Sequence, residues 1–260
     1  MTDTTARWPW PFLRIAHRGA PTRARENSLD GFVLAMTLGA VMVETDLRLS
    51  LDGAIMLAHD DRLVLPGERG RPRPVVSIAR TPRAALRRLA GDDVPTLDEA
   101  LALRHHGGPL VFNLDVKVSH LAGALVRSLR RAGRHDGIVL TGNAPGAFAS
   151  VRSAEPWVQA ALTRSARYRS APARTSTFSV LIARGPQLGS RLVRAARTAG
   201  VTALTLEQTL ATPETVYACH QAGLRVLVWT VDDPARMRAL RAAGVDGITT
   251  NRIDLLVALR

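Results

Sequence analysis

The sequence predicts an α/β fold, a (β/α)8 barrel with a β-hairpin and an insertion after its second strand, in one domain spanning residues 1–260. Three observations point there. Eight short β-branched runs alternate with Ala/Arg/Leu-rich stretches, and several of these close on Gly, the usual helix stop. A length of 260 residues is one that α/β barrels commonly occupy as a single domain. No internal repeat or low-complexity linker divides the chain.

The eight runs are FLRIAH (12–17), VMVETDL (41–47), LVFNLDVK (110–117), GIVLTG (137–142), WVQAALT (157–163), VTALTL (201–206), RVLVWTV (225–231) and DGITT (246–250). Helical patterns lie between most of them: LDGFVLAMTLGA after the first, LDEALALRHHG before the third, then HLAGALVRSLRRAG, SRLVRAARTAG, PETVYACHQAG and ARMRALRAAG. LRLSLDGAIMLAHD breaks the alternation, because Asp52-Gly53 between two alternating apolar runs is a strong hairpin signal. The chain is expected to turn back there and deliver His59 near the end of the second strand. The stretch from there to about residue 94, rich in Pro, Gly and Arg, fits no barrel unit and reads as an insertion (about 52–94) over the barrel mouth.

Composition narrows the class. Apolar residues make up 46% of the chain but aromatics only 4%, so the core is expected to be built from Val, Leu, Ala and Ile. The N-terminal stretch has no continuous apolar h-region, and no apolar run approaches the roughly 20 residues of a membrane span, which makes a cytoplasmic protein the default. The single Cys219 excludes an internal disulfide and a Cys-type zinc site. A formal charge of +13 could mean an anionic partner, but all the basic residues except Lys117 are Arg, a skew that fits coding bias on solvated helices. No aromatic stripe or nucleic-acid-binding signature accompanies the arginines, so no nucleic-acid partner is expected, and at most peripheral membrane contact.

In a barrel the functional residues collect at the strand C-termini. His17 and Arg18 end the first run, Glu44 and Asp46 the second, His59 the hairpin, and Asp115 and Lys117 the third. Residues two apart on a strand share a face, so Glu44 and Asp46 set like charges side by side in an apolar run. Three carboxylates from two neighbouring strands form an all-oxygen set suited to Mg²⁺ or Ca²⁺, with Mn²⁺ also possible. A structural ion-pair cluster with Arg18 or Arg48 is the alternative. Two histidines beside such a set suggest paired acid and base chemistry. Lys117 offers a compact charge for a phosphate oxygen.

The segments HRGAPTRARENS, VETDLRLSLDGAIMLAHDDRL, PTLDEAL, LVFNLDVK, LRVLVWTVDD and GVDGITTN, in this order, resemble the glycerophosphodiester phosphodiesterase family over roughly residues 13–254. The resemblance implies a TIM barrel whose post-hairpin insertion caps the site. It implies Glu44, Asp46 and Asp115 as metal ligands and His17 and His59 as the catalytic pair. It also implies Arg18 and Lys117 on the phosphate, Asn27 lining the site and Trp229 in the pocket wall. The implied activity is metal-dependent hydrolysis of a small glycerophosphodiester to an alcohol and glycerol 3-phosphate. Alternatives are a lysophospholipase D-type activity on lysolipids, a non-catalytic phosphodiester-binding pseudo-enzyme, and an anionic-surface binder using the Arg-rich insertion. Three positions depart from the family pattern: Asp115 stands where Glu is usual, Arg25 where Pro is usual, and Asn251 where Asp is usual. The sequence assigns neither the leaving alcohol, the acid and base among the histidines, nor the oligomeric state.

Overall fold

The computed structural model describes residues 11–65, 73–91, 94–166 and 187–259. Its centre is a closed barrel of eight parallel strands. These are β1 (Leu13–His17), β2 (Met42–Leu49), β3 (Phe112–Val116), β4 (Ile138–Gly142), β5 (Gln159–Arg164), β6 (Ala203–Glu207), β7 (Arg225–Trp229) and β8 (Gly247–Thr250). Each pairs with its neighbours in sequence, and β8 closes the ring on β1 through Leu13↔Gly247 and Ile15↔Thr249. All eight expected strands are present.

Strand parity sorts the core into two. One set of side chains fills the barrel floor: Leu13, Ile15, Met42, Val139, Ala161, Ala203 and Leu227. The opposite parity (Ala16, Val43, Leu114, Leu140, Leu162, Leu204, Val226, Ile248) packs outward against the helices. Because alternate residues share a face, the inward set continues up the barrel through a polar layer. There Thr141 donates to Asn113 at 2.7 Å, and Thr163 accepts the Gly142 N–H at 2.9 Å. The same parity brings His17, Glu44, Asp46, Asp115, Glu207, Trp229 and Asn251 to the C-terminal mouth.

Helices α1 (Leu29–Thr37), α2 (Arg83–Ala90), α3 (Leu97–Leu101), α4 (Ala122–Arg131), α5 (Pro145–Ala154), α6 (Leu188–Ala199), α7 (Pro213–Gln221), α8 (Pro234–Ala242) and α9 (Ile253–Ala258) follow in chain order. Three of the barrel helices depart from expectation. The helix expected over 97–107 stops at Leu101, because R-H-H-G-G makes a tight hairpin instead, with His106 and Gly107 at φ of 49° and 80°. The sequence pattern singles out neither α5, whose PGAFASVRSA buries only Ala147, Phe148 and Val151, nor the short α9, which buries Ile253 and Leu256.

The Asp52-Gly53 hairpin forms: Leu47↔Leu57 and Leu49↔Ile55 pair antiparallel, and Gly53 takes φ 79° in the turn. Beyond it the insertion contains a two-stranded ribbon (62–64 with 75–77) and α2. Met56 of the hairpin joins Leu65, Ile78, Leu86, Ala90 and Val94 in a small satellite core. Arg73 is exposed; Arg69 and Arg71 lie outside the described residues.

Candidate active site

The turn after β1 builds one side of the site. Gly19 has φ 89°, and a Cβ there would meet the Gly31 carbonyl carbon at 2.9 Å, so H-R-G needs its glycine to let α1 approach. Arg18 and Asn27 adopt left-handed backbone (φ 53° and 54°), at a cost of roughly 1–3 kcal/mol each. The geometry gives Arg18 three carboxylates, the first being Glu26, whose Oε2 accepts from the guanidinium at 2.9 Å. The Arg18 backbone N–H donates to Glu44 Oε2 at 3.0 Å, and its Nε lies 3.0 Å from Asp46 Oδ2 as an ion pair.

Asn27 closes this loop, donating its N–H to the Arg18 carbonyl at 2.9 Å. Its side chain is only 3% exposed. The amide nitrogen donates to Asp46 Oδ2 at 3.1 Å, and the amide oxygen accepts from Thr45 Oγ1 at 2.7 Å. Both amide ends are thus engaged by β2, and the side chain orients Asp46.

Register explains the carboxylate cluster. Asp46 pairs directly with Asp115 across β2 and β3, and Glu44 lies one layer below Asp46. One ligand atom from each of Glu44, Asp46 and Asp115 lies within 4.8 Å of the others. Gly142 leaves room for this: a Cβ there would sit 3.0 Å from Asp115 Oδ1. Glu44 and Asp46 are 6% and 1% exposed. Burial first, then the neighbouring charges of Asp46 and Asp115, pushes the Glu44 carboxyl well above the usual carboxylate range. Burial also opposes ionisation of Asp46, but Lys117, Arg18 and the hydrogen bond from Asn27 outweigh it and hold that carboxyl low.

Lys117 Nζ bridges Asp46 Oδ1 at 2.9 Å and Asp115 Oδ2 at 2.5 Å. Burial disfavours its charge, yet these two carboxylates raise its pKa above the ordinary lysine value. Of the two arginines considered as partners for the cluster, Arg18 takes part. Arg48 instead donates to the His59 carbonyl from Nε at 3.0 Å. With two cations against three carboxylates, Glu44 is the group left without adequate compensation. That imbalance and the all-oxygen donor set fit a hard divalent cation.

The two histidines differ in their surroundings. His17, largely buried, holds Asn251 Oδ1 through Nδ1 at 2.7 Å and brings Nε2 to 3.9 Å from Glu44 Oε2. Burial lowers its pKa, partly opposed by the Asn251 hydrogen bond. The hairpin does return beside β2, since Ala58 N–H donates to the Asp46 carbonyl at 3.0 Å. The His59 ring is 38% exposed and bonds Asp60 Oδ1 at 3.0 Å through Nδ1. Trp229 closes β7 beside Glu207 of β6, and its Nε1 donates to the Thr205 carbonyl at 3.3 Å.

Two neighbours went unread in the sequence. Glu207 shares the mouth with Trp229, but a lone Glu at a strand end carries no signal. Asp232 accepts from Thr250 and Asn251; it precedes Asp233-Pro234, where Asp233 caps α8, and the adjacent cap hides it.

Relatives supply the rest. Residues 17–255 match the model of the Glycerophosphoryl diester phosphodiesterase family. The chain is 30% identical over 250 residues to the Mycobacterium tuberculosis protein named "Probable glycerophosphodiester phosphodiesterase 2", covering 94% of this chain and 89% of that one. It is 22% identical to the glycerophosphodiester phosphodiesterase of Caldanaerobacter subterraneus, covering 95% and 97%. An Oleispira antarctica phosphodiesterase, solved with the product sn-glycerol-3-phosphate, has the same fold, with a TM-score of 0.76 at 22% identity and 95% of each chain covered. The match across nearly the whole chain, the closed barrel and the acidic mouth agree: this chain belongs to the glycerophosphoryl diester phosphodiesterase family.

Proposed function

We propose that this chain, acting as one barrel domain, hydrolyses a small glycerophosphodiester to an alcohol and glycerol 3-phosphate. The observation that carries the reading is the juxtaposition at the barrel mouth of three carboxylates, two phosphate-competent cations and His17. Glu44, Asp46 and Asp115 would hold a divalent cation, Mg²⁺ or Ca²⁺, with Mn²⁺ also accepted. When bound, such an ion supplies Lewis-acid polarisation of a phosphoryl oxygen. Three carboxylates, a divalent ion, Arg18 and Lys117 sum to +1, a charge matched to a monoanionic diester.

In this reading Arg18 and Lys117 hold the phosphate oxygens. Asn27 keeps Asp46 oriented, and Trp229 walls the pocket. His17 and His59 divide the proton transfers. One removes the proton from the attacking hydroxyl, of water or of the substrate's own glycerol, and the other protonates the leaving alkoxide. The P–O bond to the alcohol breaks as the new P–O bond forms; with the glycerol hydroxyl as nucleophile the first product is a cyclic glycerol phosphate, which attack by water then opens to glycerol 3-phosphate.

One observation favours a second reading, a phosphodiester binder without turnover. Lys117 already occupies the space between Asp46 and Asp115, where a cation would compete with it. Glycerol 3-phosphate release from a panel of glycerophosphodiesters and lysolipids, with each metal or with chelator, separates the readings. Metal-dependent release supports hydrolysis, a requirement for an acyl chain marks a lysophospholipase D-type enzyme, and binding without release marks the pseudo-enzyme.

A further inference from the structure

We infer that Asn251 and Asp232 form a positioning pair that holds His17 as its Nδ1–H tautomer. Nε2 is then the nitrogen through which His17 exchanges a proton with the reacting groups, in either of the two proton-transfer roles. The inference rests on the catalytic role proposed above for His17, and it names the ring nitrogen that acts.

A carboxylate only accepts hydrogen bonds. Asp232 accepts the Thr250 hydroxyl at 3.0 Å and the Asn251 N–H at 2.8 Å on Oδ1, and the Asn251 amide at 2.7 Å on Oδ2. The group facing Asp232 must therefore be the NH2 of Asn251, which turns the amide oxygen to His17. That oxygen lies 2.7 Å from Nδ1 and can only accept, so the hydrogen between them belongs to Nδ1. A neutral imidazole carries one N–H, so Nε2 holds the lone pair. Nε2 lies 3.9 Å from Glu44 Oε2, too far for a hydrogen bond, and so stays open towards the site.

Why two residues are needed follows from amide chemistry. A carboxylate at position 251 could accept from Nδ1 in either orientation. An amide has one accepting end, and a flip would present NH2 to Nδ1 and force the opposite tautomer. Asp232 is what forbids the flip. It comes from the loop after β7 and Asn251 from the end of β8, so the pair also ties two strand ends to the end of β1.

Asp232→Asn tests this directly. The new amide keeps its oxygen on the Asn251 N–H, a donor that cannot reverse, and so presents NH2 to the Asn251 side chain. Asn251 then flips and His17 is pushed to the Nε2–H form. The double variant Asp232→Asn/Asn251→Asp reverses the polarity of the contact and restores an acceptor on Nδ1. Two readouts are needed on the full chain with Mg²⁺. Ring-¹⁵N-histidine NMR, recorded where the rings are neutral and with His17 assigned by its loss in His17→Gln, reports the tautomer without any need for turnover. Steady-state kinetics on a glycerophosphodiester separates kcat from KM.

The expected result is a protonated Nδ1 in the wild type and an inverted tautomer in Asp232→Asn. The single variant loses about 10²-fold or more in kcat, with KM within about threefold. The double variant recovers the Nδ1–H form and most of kcat. A wild-type His17 protonated on Nε2 overturns the inference, as does an Asp232→Asn protein with unchanged tautomer and kcat. A wild type that shows the Nδ1–H form but releases no glycerol 3-phosphate from any diester instead refutes the hydrolytic function and, with it, the catalytic role of His17.

Discussion

Replacing Glu44 with Gln should make the metal-free protein more stable while abolishing its response to metal. Glu44 is buried beside two other carboxylates, with ligand atoms within 4.8 Å. At an effective dielectric near 20, each like-charged neighbour at that distance costs roughly 3 kcal/mol. Arg18 and Lys117 offset much of this, leaving the cost of burying an ionised carboxylate. Gln keeps the shape and an acceptor for the Arg18 N–H, so the metal-free variant should gain about 1–3 kcal/mol at neutral pH, a rise of several degrees in Tm. The sign follows from the raised pKa of Glu44. The folded state holds this proton above the pH at which an unfolded Glu releases it. Metal-free wild type therefore loses stability as pH rises from the ordinary Glu range, about 4.3, through the raised folded value. The variant lacks that slope, and the two curves should meet at low pH. Saturating Mg²⁺ or Ca²⁺ should raise the wild-type stability by about 2.7 kcal/mol at a hundred times Kd, and the variant's hardly at all. Thermal melts with chelator and with metal, from acid to neutral pH, provide the assay. A metal-free variant that melts below wild type at neutral pH, or equal stabilisation of both by metal, would show that Glu44 is neither an uncompensated charge nor a metal ligand.

Three further outcomes are expected. His17→Ala and His59→Ala should each lower kcat by about 10²–10⁴, whereas alanine at His105, His106, His120, His135 or His220 should be nearly silent; a histidine-by-histidine scan checks this, and an unaffected His59 variant would remove it from the chemistry. Asp115→Glu should be tolerated and bind metal at least as well in a metal titration, because the added methylene extends the carboxylate towards Glu44 and Asp46; complete loss would mean that the cluster requires the shorter side chain. Replacing Arg69, Arg71 and Arg73 with Gln should lower kcat/KM at low ionic strength, leave kcat nearly unchanged and flatten the salt dependence, as expected if insertion charge steers anionic substrate; parallel salt curves would rule steering out.

Much of this was legible because carboxylates in apolar runs are conspicuous. Glu44 and Asp46 break a strand pattern that strand parity then turns inward, and the eight strand runs share that parity signal. Asp52-Gly53 announced its own turn. What escaped depends on contacts between distant segments. That the Asn27 amide bonds Thr45 and Asp46 is one such contact. Asp232 is indistinguishable in sequence from the helix cap beside it. The overlong helix before β3 shows a local pattern losing to a Gly-rich turn, and α5 shows the reverse, a weakly patterned helix packed by its barrel neighbours.

The most direct test measures glycerol 3-phosphate released from glycerophosphodiesters by wild type and Glu44→Gln, with Mg²⁺ or Ca²⁺ and with excess EDTA. Release by wild type with metal, abolished both by EDTA and by a Glu44→Gln substitution that leaves the protein folded, is the predicted result. Full release in excess EDTA, with no tightly held metal by elemental analysis, would contradict it.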